Sequence, residues 1–87
     1  MKNLKRLDAS GINCKINQLG IEGLDLVELN LHNNRKITNV SFMLNLKWLD
    51  VSGCCCKIDQ DGIEGLDLVG LNASDNDKIK NANFMKN

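Results

Sequence analysis

Four cysteines, one histidine and a few carboxylates are the residues of this 87-residue chain whose types could do chemistry. Cys54, Cys55 and Cys56 are consecutive, and Cys14 stands apart. A structural zinc site needs four converging ligands. Cys54 and Cys56 with His32 fall short of that set, so no metal and no cofactor are expected. There is no C-x-x-C pair and no basic-plus-apolar leader, so the thiols read as free in a reducing, intracellular setting. His32 has no second histidine and no thiolate facing it, and it reads as a polar surface residue. Asp8 and Asp50 are the carboxylates a small hydrolase would use, and Asp50 and Glu28 are the carboxylates near His32. Whether any of these groups meet depends on the elements that carry them.

Composition narrows those elements. Lys plus Arg equals Asp plus Glu, 11 against 11, so a polybasic nucleic-acid or membrane footprint is absent. No stretch approaches the roughly 18 apolar residues of a membrane span. Leu and Asn are the commonest residues, at 13 each, and Pro and Tyr are missing. Asn competes with helix formation by bonding to nearby backbone, and it suits tight bends. The chain therefore reads as short strands separated by many turns.

Shifted by 42 residues, the sequence aligns with itself without a gap, with 29 identities over 45 positions. LKRLDASG at 4–11 becomes LKWLDVSG at 46–53, and CKINQLGIEGLDLVEL at 14–29 becomes CKIDQDGIEGLDLVGL at 56–71. Each unit divides again. Leu4, Leu7, Ala9 recurs as Leu26, Leu29, Leu31, as Leu46, Leu49, Val51 and as Leu68, Leu71, Ala73, with steps of 22, 20 and 22 residues. An apolar return path follows each strand: Ile16, Ile21, Leu24 with its copy Ile58, Ile63, Leu66, and the shorter Ile37, Val40, Met43.

The pattern L-x-x-L-x-L-x-x-N stands in full at Leu26, Leu29, Leu31, Asn34. It recurs at Leu68, Leu71, Ala73, Asn76, and with Cys in the last slot at Leu46, Leu49, Val51, Cys54. Leu4, Leu7, Ala9, Ile12 departs from it in that slot. Over essentially its whole length the chain resembles a leucine-rich repeat protein. Its alternating turns look like the Asn-rich repeats of giant-virus proteins, which would place it in the cytoplasm of a host cell. The resemblance implies one domain over 1–87, an α/β-type solenoid of four turns at about 4–25, 26–45, 46–67 and 68–87. It also implies short parallel strands, largely irregular return segments, and an interior ladder at Asn34, Cys54 and Asn76. The chain opens and closes at the same point of the repeat and shows no polar caps, so it reads as a piece of a longer array.

Period-two alternation sets the strand faces. Leu29 and Leu31 point inward, and three columns point outward: Arg6, Glu28, Trp48, Gly70; Asp8, Asn30, Asp50, Asn72; and Ser10, His32, Ser52, Ser74. Two glycines in each GIEGL argue against regular helix at 20–24 and 62–66. Phe42 and Phe84 are expected to plug the return side. Cys14 and Cys56 lie two strand spacings apart, about 10 Å, beyond the reach of a disulfide. Asp8 and Asp50 are equally far apart on an open face, which argues against an enzyme. The expected role is a non-enzymatic protein-binding surface made by Arg6, Asp8, Glu28, Asn30, His32, Trp48, Asp50, Ser52, Asn72 and Ser74, with Trp48 as anchor. The alternative is a structural segment that self-associates through uncapped ends. A protein partner is expected, with neither nucleic acid nor membrane. Asn39-Val-Ser and Asn72-Ala-Ser match the glycosylation acceptor by chance in an Asn-rich chain.

Overall fold

Four three-residue strands form one parallel sheet in a computed structural model that describes residues 4–79. They are β1 (Arg6–Asp8), β2 (Glu28–Asn30), β3 (Trp48–Asp50) and β4 (Gly70–Asn72), ordered as in the chain. Between β1 and β2 lies a single helical turn, α1 (Gln18–Ile21), and between β3 and β4 a 3₁₀ turn at Asp61–Ile63. The rest of each connection is irregular. This is a small α/β fold measuring 32 × 25 × 16 Å, compact rather than drawn out.

The register follows the sequence repeat. Leu7, Leu29, Leu49 and Leu71 stand opposite one another across the four strands. Leu29 and Leu49 are buried, whereas Leu7 and Leu71 on the edge strands are half-buried. The core is sealed from the far side by Ile21, Ile37, Val40, Met43, Ile58, Ile63 and Leu66, so strand leucines and return-path residues share one hydrophobic cluster. A parallel sheet needs such a cover because its strands cannot bury their apolar side alone.

Two return paths touch backbone to backbone. The Val40 amide donates to the Gly62 carbonyl at 2.8 Å. A Cβ at Gly62 would overlap the Thr38 carbonyl oxygen, so only glycine allows this approach. Gly20, at the same place one copy earlier, has nothing nearer than 3.6 Å. There α1 begins instead with Asn17 accepting the Gly20 amide at 3.0 Å.

Asn34 and Asn76 are buried behind the strands. The Asn34 amide donates to the carbonyls of Ala9 at 2.7 Å and Ile16 at 3.4 Å, while its Oδ1 accepts the amides of Lys36 and Ile37. Asn76 repeats this with Val51 at 2.8 Å, Ile58 at 3.1 Å and the Lys78 amide. Each asparagine thus ties the second half of a 42-residue unit to the first half.

Cys54 does not join them. It is exposed, and Cys56 is the cysteine inside, 1% accessible. The 22-residue turns carry two extra residues after the strand, and a turn closed by the Cys56 amide on the Gly53 carbonyl pushes those two outward. Gly53 makes the bend at φ +99°, a conformation other residues rarely adopt. Ile12 is exposed at the same bulge in the first turn. Phe42 does not plug the return side either; it is 40% exposed, and Val40 and Met43 fill the space behind it. The expectations for Phe84 and for the end of the fourth turn lie outside the described residues.

Candidate interaction surface

The outward columns assemble in register. Arg6, Glu28, Trp48 and Gly70 pair across adjacent strands, and so do Asp8, Asn30, Asp50 and Asn72. Together with the strand leucines they line an open groove of about 670 Å³ over the sheet.

The second column has a local duty. Each member accepts the backbone amide two residues on: Asp8 from Ser10 at 3.0 Å, Asn30 from His32 at 3.0 Å, Asp50 from Ser52 at 2.9 Å, and Asn72 from Ser74 at 3.1 Å. These Asx turns end every strand, and carboxylate and amide oxygens serve equally well. The Ser10 hydroxyl and then its amide hold the Asp8 carboxyl below the 3.8 of an unperturbed aspartate.

The first column differs between the two copies. In the first, Arg6 meets Glu28 at 3.3 Å as an exposed ion pair. In the second, Trp48 faces Gly70, and a Cβ at Gly70 would come 2.5 Å from the Trp48 ring. Glycine is what lets the indole lie against the neighbouring strand. Half of Trp48 nevertheless remains accessible.

The third column is not uniformly outward. Ser10 is half-buried, His32 and Ser74 are exposed, and Ser52 is buried at 5% accessibility. Ser52 lies under His32, whose Nδ1 stands 2.7 Å from the Ser52 Oγ. The serine proton is committed to Asp50 Oδ1, so Nδ1 is the protonated nitrogen of His32 and donates to Ser52. His32 Nε2 then accepts from the Asn33 amide at 3.3 Å, and Asn33 Oδ1 accepts the Cys55 backbone amide at 3.3 Å. The order of donors is the reverse of what nucleophilic catalysis needs, because there the imidazole takes the serine proton. The sequence reading of His32 as a plain surface residue missed this chain. Its signal was the register itself, which sets two hydrogen-bonding side chains side by side on neighbouring strands.

All four thiols are free. The Cys54 and Cys55 sulfurs lie 3.9 Å apart. The Cys55 thiol beside it, before any other cause, raises the Cys54 pKa, and burial raises that of Cys56. A shallow depression of about 440 Å³ beside them is bounded by His32, Asn33, Gly53, Cys54, Asp75 and Asp77. Among the described residues no group of three or more His, Cys, Asp or Glu side chains is placed to hold a metal ion. No helix among them is long and apolar enough to cross a membrane.

Neither known protein families, nor characterised proteins, nor solved structures provide a match to this chain.

Proposed function

We propose that the chain is a four-turn leucine-rich repeat solenoid that binds another protein, without catalysis, through the outer face of its sheet. The observation that carries this reading is Trp48 lying half-exposed over Gly70 in the floor of the groove. The same two positions in the first copy hold an ion pair, Arg6 with Glu28. The fold accepts either pair, so it does not itself require an indole at the surface. A large aromatic at the centre of a recognition face is the usual form of an anchor, since it offers much contact area at little cost in side-chain freedom. Asp50 flanks it with a carboxylate, which favours a partner carrying a basic group at the edge of its apolar contact. The Asx-turn residues Asp8, Asn30, Asp50 and Asn72 then act mainly as strand terminators, and Arg6, Glu28 and Trp48 make the contact.

One observation favours a second reading, self-stacking. Strands β1 and β4 are the edges of the sheet, and their leucines Leu7 and Leu71 are only half-buried. Unpaired strand edges can add a further strand from another chain. A concentration series by sedimentation separates the two readings. A folded monomer across the series supports the binding module. Open-ended growth supports the stacking unit.

A further inference from the structure

We infer that Cys54 and Cys55 form a two-thiol site for a soft monovalent cation, Cu(I). The two sulfurs converge to 3.9 Å on the bulge that the longer turn throws outward, with Cys54 exposed. The internal repeat supplies a control. The equivalent bulge in the first turn is built from Ile12 and Asn13, so the fold makes this feature without sulfur. Cys56 differs: its copy is also a cysteine, Cys14, and it packs into the core.

The geometry separates the candidate chemistries. A direct disulfide is disfavoured, because neighbouring Cα atoms lie about 3.8 Å apart and disulfides want roughly 4.4 Å or more. A bridging metal removes that constraint. With metal–sulfur bonds near 2.3 Å, sulfurs 3.9 Å apart subtend about 116° at the metal. That angle falls between the tetrahedral and trigonal values. Zinc in a structural site takes four ligands, and no third metal-binding side chain joins the pair among the described residues. Cu(I) is satisfied by three ligands at near-trigonal angles, of which this pair supplies two, and soft thiolates select it. The depression beside Cys54, with the Asp75 and Asp77 carboxylates on its rim, draws a cation in and leaves room for a small thiol as third ligand.

Binding needs no redox partner. The two thiols lose their protons to solvent, two sulfur–copper bonds form, and the copper stays in its +1 state.

The test is an anaerobic titration of the reduced full chain with Cu(I), delivered as its acetonitrile complex, in competition with bicinchoninate. The expected result is one Cu(I) held per chain. The C54I/C55N variant, which restores the first-turn sequence, should lose affinity at least tenfold with its circular dichroism unchanged, and C14S should bind as wild type does. Should C54I/C55N fail to fold, C54S/C55S serves in its place and must show the same loss. Undiminished binding in the double variant, complete surrender of copper to bicinchoninate by the wild type, or preference for Zn(II) under the same conditions would overturn the inference.

Discussion

The side-chain amide of Asn34 donates to the carbonyl of Ala9 at 2.7 Å, bridging 25 residues of chain inside the hydrophobic core. Val51 and Asn76 stand in the same relation one repeat later. Between strands and return paths the chain turns away from regular structure, and its backbone groups need partners there. One asparagine, with two donors and an acceptor, supplies several at once.

Asn34→Ala should therefore cost about 2–4 kcal/mol, since it strands the Ala9 carbonyl and the Ile37 amide away from water. Asn34→Asp should cost at least as much, because a carboxylate cannot donate to Ala9. Urea denaturation measures both, and a small domain with a modest total margin will show them as large shifts in midpoint.

The two copies predict opposite outcomes for one substitution. Gly62→Ala drives a methyl into the Thr38 carbonyl and should destabilise by about 1–3 kcal/mol. Gly20→Ala on α1 meets only ordinary van der Waals contact with the Asn17 and Ile16 side chains at 3.6 Å and should be neutral, or stabilising by up to about 1 kcal/mol. Equal effects at the two positions would argue against direct packing of one return path on the next.

Ser52→Ala removes the hydroxyl that links His32 to Asp50 and should cost about 1–2 kcal/mol. Nitrogen NMR of His32 gives a sharper check. The neutral ring should carry its proton on Nδ1, and Ser52→Ala should release that preference.

Asp8 titrates below an unperturbed aspartate because Ser10 bonds to its ionised form. A carboxyl whose folded pKa is depressed adds stability above its unfolded pKa and gives it up as pH falls through the lower folded value. The contribution should thus be intact above about pH 4 and fade below 3.8. Carboxyl NMR titration should place Asp8 below 3.8, and Ser10→Ala should return it toward that value.

The strand register was legible in the sequence, because alternation of inward leucines with outward polar residues fixes which side chains share a column and the steps of 22, 20 and 22 residues fix which strands neighbour. The buried roles of Asn34 and Asn76 were legible for the same reason: they follow the last inward residue by three positions in the shorter turn. Counting failed where the turn lengthens. Cys54 holds the same offset from Val51 as Asn34 does from Leu31, but two added residues move the interior slot on to Cys56. A glycine at positive φ makes that detour, and a pattern of fixed offsets does not register it. Phe42 failed differently. Its size suggested the core, but Val40 and Met43 had already closed the space. The chain from Asp50 through Ser52 and His32 to Asn33 depends on which side chain leans over which, and that emerges only in three dimensions.

Trp48→Ala should leave the fold within about 1 kcal/mol of wild type, since half of the side chain is already in water, while weakening partner binding by about 2 kcal/mol or more.

The measurement that bears most directly on the proposed interaction surface is site-specific photo-cross-linking in extract of the expressing cells. A photoreactive residue is placed at position 48, and in a second chain at position 64 on the return side. The account predicts discrete protein adducts from position 48, suppressed by excess wild-type chain, not by the Trp48→Ala chain, and missing from position 64. Identical adducts from both positions, none from position 48, or adducts only to a second copy of this chain would contradict it.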